Sequence, residues 1–183
     1  GKGFNFVEFA LDRMTKGYGC ILIQENAGSG NGLPFTKNIL KNNTLVASIH
    51  MPADLFMGKA SVQAGIYLFK VNQPHDPDSL VTFIDMSEDG YSRQNRKKSS
   101  QDVNLRDTDN AKARYEEVVD IILNKKPKTS YYTEANGLVI KDTISLEGND
   151  WTFAQHKKID IRPTIDDFKK TVKDFLSWKV SQI

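Results

Sequence analysis

The chain has 183 residues, and 39% of them are hydrophobic, which suits one ordinary domain with an appendage and excludes a disordered segment. Its 25 Lys and Arg residues nearly balance its 23 Asp and Glu residues, so the net charge of +2 excludes a global attraction to polyanions. No apolar run approaches the roughly 20 residues that span a bilayer, so we expect no membrane partner. The single cysteine, Cys20, lies in an apolar run, which predicts a buried thiol and a cytoplasmic location.

The first part of the chain alternates between helical and strand patterns. Apolar residues at helical spacing predict a first helix that ends at Lys16-Gly17. The apolar run at residues 18–24 then predicts a buried strand of the parallel type, which leads into a glycine-rich loop. Pro34 opens a second predicted helix, and Asn42-Asn43 ends it.

Three further strands are predicted at residues 44–51, 62–71 and 80–85. The order of helix, strand, helix, strand and strand suits the second half of a doubly wound α/β sheet. Residues 90–110 are polar, carry a basic stretch and predict an exposed loop.

The remaining residues are less regular. Apolar spacing predicts a helix from Tyr115 to about Lys125, and β-formers between glycine turns predict a small β excursion at residues 131–153. Thr164 caps a final helix whose apolar seam contains Ile165, Phe168, Val172 and Phe175. We therefore divide the chain into a sheet region, 1–110, and a helical and small β region, 111–183.

One stretch of the chain carries a specific family pattern. Residues 48–56 read Ser-Ile-His-Met-Pro-Ala-Asp-Leu-Phe, and residues 62–70 form a second apolar strand that ends in Lys. This pattern resembles the type I restriction-modification N6-adenine DNA methyltransferases, although Met51 stands where Leu is usual. The resemblance implies the C-terminal half of a Rossmann-like sheet of an S-adenosylmethionine-dependent methyltransferase, with a small β region and a C-terminal helix.

Two motifs of that family do not occur in the 183 residues: the glycine-rich loop that holds S-adenosylmethionine and the Asn-Pro-Pro-Tyr/Phe tetrapeptide. We therefore expect both to lie upstream of Gly1. The chain is then the C-terminal part of a modification subunit whose full-length form is a site-specific adenine methyltransferase. By itself this part should be inactive. The resemblance implies that residues 1–110 form the C-terminal half of its catalytic domain and that residues 111–183 contact DNA or a partner subunit.

Phe56 is the candidate catalytic residue. Methylation of a base in a duplex requires that base to leave the stack, and an extruded base needs an aromatic face. The resemblance implies that Phe56, just after the sixth strand of the family's sheet, stacks on the extruded adenine. The alternative is a core Phe under a loop.

Five basic residues are candidate contacts to DNA phosphates: Lys59, Arg93, Arg96, Lys97 and Lys98. Such contacts supply affinity without sequence choice. The alternative for all five is a solvated side chain on a loop.

Other chemistries receive little support from the sequence. The glycine-rich loop at residues 28–32 lacks the Lys-Ser/Thr ending of a phosphate loop. His50, His75 and His156 are far apart with no Cys partner set, and we interpret His50 as a core histidine with satisfied hydrogen bonds.

The resemblance implies DNA, a specificity subunit and a restriction subunit as partners. The final helix is the candidate surface for the specificity subunit, but it could also close its own domain. The alternative function is a non-enzymatic interaction module in which the α/β sheet is only a scaffold.

Overall fold

A computed structural model of the protein describes residues 3–25, 32–57, 59–95, 103–158 and 164–182. Its elements in chain order are α1 (Gly3–Leu11), β1 (Tyr18–Gln24), α2 (Leu33–Asn42), β2 (Thr44–His50), β3 (Ala64–Lys70), β4 (Val81–Asp85), β5 (Tyr91–Asn95), β6 (Val103–Asp107), α3 (Ala111–Ile122), β7 (Val139–Asp142), α4 (Phe153–His156) and α5 (Ile165–Val180). Within these ranges, no helix combines the length and the apolar character needed to cross a bilayer.

The main sheet has five strands in the order β1-β3-β2-β4-β7. β2 and β4 pair in parallel, whereas β3 is antiparallel to both β1 and β2, and β7 is antiparallel to β4. As a result β1, β2 and β4 run in the same direction, and their carboxyl ends lie at one edge. The protein is therefore of the predicted α/β class with a mixed sheet.

β1 corrects two predictions. It lies at the border of the sheet and pairs antiparallel with β3, so the predicted buried strand of parallel type is wrong. Its side chains alternate between outward positions and half-covered positions, as is typical of a strand covered on one face only. Cys20 is on the outward face and exposed, so the predicted buried thiol is also wrong.

The first helix ends at Leu11, five residues before the predicted Lys16. A Cβ atom at Gly19 would come within 2.5 Å of the Leu11 Cδ2 atom, so β1 passes directly against the last turn of α1. The chain must therefore turn back early, and Gly17, with φ +107°, provides the left-handed turn into β1.

Two hydrophobic clusters cover opposite faces of the sheet. In β4, Phe83 belongs to the cluster that α1 and α2 cover, and Ile84 belongs to the cluster that α3 covers. Adjacent strand residues point to opposite faces, which explains the division. Trp151 is completely buried in the first cluster, with its ring centroid 5.3 Å from that of Phe4 and 5.6 Å from that of Phe69.

The predicted β excursion contributes β7 to the main sheet. The segment before β7 is bonded to α3 through the buried carboxylate of Glu117. This carboxylate accepts hydrogen bonds from the backbone N–H groups of Tyr131 (3.0 Å) and Tyr132 (2.6 Å) and from the Thr129 hydroxyl. Residues 139–156 therefore share the sheet and core of residues 3–85. The division at residue 110 remains a prediction as a division of roles.

The predicted exposed loop at residues 90–110 is corrected at residues 91–95 and 103–107, where β5 and β6 form the two strands of an antiparallel hairpin. Residues 96–102 lie outside the described residues. The predicted final helix is confirmed as α5. The Thr164 hydroxyl accepts from the Asp167 N–H, and the Asp167 carboxylate accepts from the Thr164 N–H, which forms a capping box. No residue of α5 is buried.

Candidate functional site

Three strand ends meet at the carboxyl edge of the sheet. Glu25 follows β1, His50 is the last residue of β2, and Asp85 is the last residue of β4. The Met86 N–H donates to the His50 carbonyl over 2.8 Å, so the chain segments after β2 and β4 stay together beyond the sheet. Ligands of open α/β sheets bind at such an edge, which makes it the candidate site.

His50 and Glu25 join the ends of β2 and β1. The His50 Nδ1 atom lies 2.8 and 2.9 Å from the two Glu25 carboxylate oxygens, and both side chains are largely covered. The hydrogen bond to Glu25 raises the pKa of His50 above its ordinary value of 6.5, burial opposes the rise, and the charges of Glu25 and Asp85 add to it. The Nδ1 atom of His50 thus has a hydrogen-bond partner, as predicted, but the side chain lies partly exposed at the end of β2 rather than in the core.

Phe56 lies on a tight turn directly after β2. The Leu55 N–H donates to the Pro52 carbonyl (3.1 Å) and the Met57 N–H donates to the Asp54 carbonyl (2.8 Å). Leu55 packs against the second hydrophobic cluster, whereas Phe56 keeps 37% of its surface exposed. The turn therefore presents one aromatic ring at the carboxyl edge and anchors the residue beside it.

Arg93 is buried, which corrects its predicted place on an exposed loop. Its guanidinium pairs with the Asp89 carboxylate and also donates to the Asp54 carboxylate over 3.2 Å. The Tyr115 hydroxyl donates to Asp89 over 2.8 Å. Burial would raise the pKa of Asp89, but the hydrogen bonds from Arg93, the Tyr91 N–H and Tyr115 hold it below its ordinary value.

Sequence reasoning missed Asp54 and Asp89, the two partners of Arg93. The only signal was the spacing of four residues between Asp89 and Arg93, which indicates an ion pair on a helix but occurs here on a turn and a strand.

The other predicted phosphate contacts divide into two groups. Lys59 is exposed, three residues after Phe56, and its N–H donates to the Phe56 carbonyl over 2.9 Å. Arg96, Lys97 and Lys98 lie outside the described residues.

The three histidines do not come together. His75 precedes β4 and donates its backbone N–H to Leu40, and the His156 ring pairs with Asp142 (3.0 Å) at the last residue of β7, so both lie towards the opposite edge from His50. Burial lowers the pKa of His75. Among the described residues, no group of three His, Cys, Asp or Glu side chains could hold a metal ion.

Comparison with known proteins gives one family match. The model of the family described as N-6 DNA Methylase matches residues 2–137. A search of curated proteins found no match.

Several solved structures share the fold. The modification subunit of a putative type I restriction enzyme from Vibrio vulnificus YJ016 is 12% identical with a TM-score of 0.52, over 76% of this chain and 27% of that chain. The type I methyltransferase subunit from Streptococcus thermophilus is 15% identical with a TM-score of 0.57, over 86% and 31%. The type I restriction enzyme EcoKI M protein is 13% identical with a TM-score of 0.56, over 100% and 43%.

The chain spans between 27% and 43% of the length of these three proteins. At such low identity the likeness shows the fold, and it agrees with the resemblance to type I modification subunits found in the sequence. The family model covers well over half of the chain. The chain therefore belongs to the N-6 DNA methylase family.

Proposed function

We propose that this chain forms the target-base side of an S-adenosylmethionine-dependent adenine-N6 DNA methyltransferase of a type I restriction-modification system. The observation that carries the proposal is the position of Phe56: an exposed aromatic ring on a tight turn, at the edge where three strands of the same direction end. The turn lies inside the region that the family model matches.

The proposed chemistry follows from the needs of N6 methylation. The target adenine must leave the duplex before its amine can react, and an aromatic side chain replaces part of the lost stacking. Base stacking on an aromatic residue contributes roughly 1–3 kcal/mol. Phe56 is 37% exposed, which leaves part of its surface available for this contact, and Leu55 beside it packs against the second hydrophobic cluster.

DNA phosphates would contact Lys59, which is exposed beside the Phe56 turn, and also Arg96, Lys97 and Lys98. Arg93 is left out of this proposal, because Asp89 and Asp54 already engage its guanidinium. The Arg93 side chain is also only 6% exposed, which leaves little of its guanidinium accessible to a phosphate.

The described carboxyl edge does not fit a site for S-adenosylmethionine. A donor site needs an acidic side chain free to bond the ribose. Here both Glu25 oxygens contact the His50 ring, and one Asp85 oxygen accepts from the Ser87 N–H over 2.9 Å, so neither carboxylate has both oxygens free for the two ribose hydroxyls. We place the donor site on segments outside these 183 residues, so that this chain alone transfers no methyl group.

α5 is the proposed attachment to the specificity subunit, in an assembly that also contains the restriction subunit. Its apolar residues are exposed, which supports contact with another chain. The same exposure favours the second candidate function, a non-enzymatic interaction module. Loss of methylation without loss of assembly in the variants below would favour the enzyme over that module.

The test is substitution of Phe56 in the complete methyltransferase. Phe56→Ala should lower the rate of methyl transfer about 5- to 150-fold, the equivalent of the lost stacking energy, whereas Phe56→Trp should retain much of it. The measurement is transfer of labelled methyl groups to DNA that lacks adenine methylation.

Tyr18→Ala is the matched control, because Tyr18 is also an exposed aromatic residue (59%) but lies at the start of β1, on the opposite edge. An unchanged rate in correctly folded Phe56→Ala would show that the assignment is wrong.

A further inference from the structure

We propose that Asp54 and Arg93 are positioning residues that hold the Phe56 turn in the orientation that receives the target base. The inference rests on the proposed function of Phe56. It assigns Arg93 a role different from the phosphate contact that its sequence suggests.

Contacts other than the one to Asp54 already hold the Arg93 guanidinium in place. The Arg93 side chain is 6% exposed and the Asp89 side chain 1% exposed. Asp89 in turn accepts from the Tyr91 N–H over 3.0 Å and from the Tyr115 hydroxyl over 2.8 Å. Arg93 is thus held by β5, by the segment after β4 and, through Tyr115, by α3.

Asp54 links the fixed Arg93 guanidinium to the backbone of the Phe56 turn. Its carboxylate accepts from Arg93 Nη1 over 3.2 Å, and its backbone carbonyl accepts from the Met57 N–H over 2.8 Å. Phe56 lies between these two bonded residues. The backbone bonds on both sides of Phe56 fix the direction of its Cα–Cβ bond, and the ring extends from that bond.

The contact between Asp54 and Arg93 can be removed without exposing a buried charge. The Asp54 side chain is 38% exposed, so its ion pair adds little to stability. Arg93 keeps its pairing with Asp89 when the Asp54 charge is gone. Loss of Asp54 should therefore change the geometry of the turn and leave the fold in place.

The experiment measures methyl transfer to DNA by the complete methyltransferase, with Asp54→Ala made both in the unaltered sequence and in Phe56→Ala. Ala removes the acceptor oxygen that bonds Arg93. Because misplacement of a reacting group by about 1 Å can cost about 100-fold in rate, we expect Asp54→Ala to lower the rate about 3- to 10-fold. In the Phe56→Ala background the same change should have almost no effect, since the ring that Asp54 positions is absent. Asp54→Glu keeps the carboxylate and should restore most of the rate.

Asp78→Ala is the matched control, because Asp78 is exposed in the segment before β4, at the opposite edge. The melting temperatures of all variants are compared. If Phe56→Ala impairs transfer but Asp54→Ala does not, only this inference fails. Equal effects of Asp54→Ala in both backgrounds, or a large loss of stability, would also overturn it. A normal rate in Phe56→Ala would overturn both proposals.

Discussion

His50 connects the end of β2 to Glu25 after β1, and its charge depends on that contact. The imidazolium form donates to a carboxylate, with the Asp85 charge nearby. The Tyr67 hydroxyl donates to the Glu25 carbonyl over 3.0 Å, so β3 also fixes the position of Glu25. Protonation of His50 therefore strengthens the side-chain contact between the ends of β1 and β2.

The pH dependence follows from the raised pKa of His50. The stabilisation is fully present below the ordinary value of 6.5 and is lost as the pH rises through the higher folded-state value. Glu25→Gln removes the hydrogen bond to a charged acceptor and should lower the pKa of His50. NMR titration of the His50 ring protons measures the change.

Glu147→Gln is the control for that titration, because Glu147 pairs with Lys37 on α2 and not with His50. A His50 titration that is the same in Glu25→Gln and in the unaltered chain would contradict the assigned cause.

Local patterns in the sequence indicate Phe56 but not the partners of Arg93. Phe56 is proposed because its neighbours match a family pattern that is local in the chain, and its role stays a prediction. The sequence groups Arg93 with the basic residues that follow it, although its structural partner Asp54 lies 39 positions earlier. Pairing over such a distance depends on the tertiary fold, which local composition does not encode.

At the scale of the element, α5 is an amphipathic helix whose apolar side is left exposed by the other described residues. Phe168 is 67% exposed and Leu176 is 56% exposed. The capping box fixes the start of the helix, but a helix of 16 residues is only marginal in water without tertiary contacts. α5 should therefore gain stability when a partner buries its seam.

Deletion of residues 164–183 from the complete protein should abolish copurification with the specificity subunit. The point variant Leu176→Ala should weaken the association about tenfold or more, because a buried Leu side chain is worth roughly 1.5–3 kcal/mol. Quantitative pull-down with the specificity subunit measures both effects.

Lys170→Ala is the control on the same helix, since Lys170 is exposed outside the apolar seam and Ala is also compatible with a helix. If the truncated protein still assembles, the partner surface lies elsewhere.

Elements with strong local patterns could be predicted and elements defined by pairing could not. Pro34 at the start of α2 and the Thr164 cap of α5 are signals contained in a few residues. The border position of β1 and the β5–β6 hairpin depend on which strands pair, and the sequence of one strand does not determine its pairing partner.

At the scale of the whole molecule, Trp151 joins the late part of the chain to the early part. Its ring packs on Phe4 and Phe69, and its backbone carbonyl accepts from the buried Ser48 hydroxyl. With β7 paired to β4, these contacts cross the division predicted at residue 110. Residues 3–158 should therefore unfold as one cooperative unit.

Trp151→Ala should lower the free energy of unfolding by about 3–5 kcal/mol, because it leaves a large cavity in the core. Trp178→Ala on α5 provides the control: Trp178 is 58% exposed, and its loss should change stability by only about 0.5 kcal/mol. Urea unfolding followed by circular dichroism measures both. Two separate transitions, or a loss below about 1 kcal/mol in Trp151→Ala, would contradict a shared core.

The border position of β1 also affects the behaviour of this chain at high concentration. Within the described residues only β3 pairs with β1, so the backbone groups along its other side are free to bond a foreign strand. Tyr18 (59%) and Leu22 (48%) add exposed apolar surface on the same strand. Long apolar strand edges act as templates for aggregation. A segment or partner that covers the outer side of β1 would therefore protect the chain against self-templated β assembly. This protection would be separate from any role of that segment or partner in catalysis.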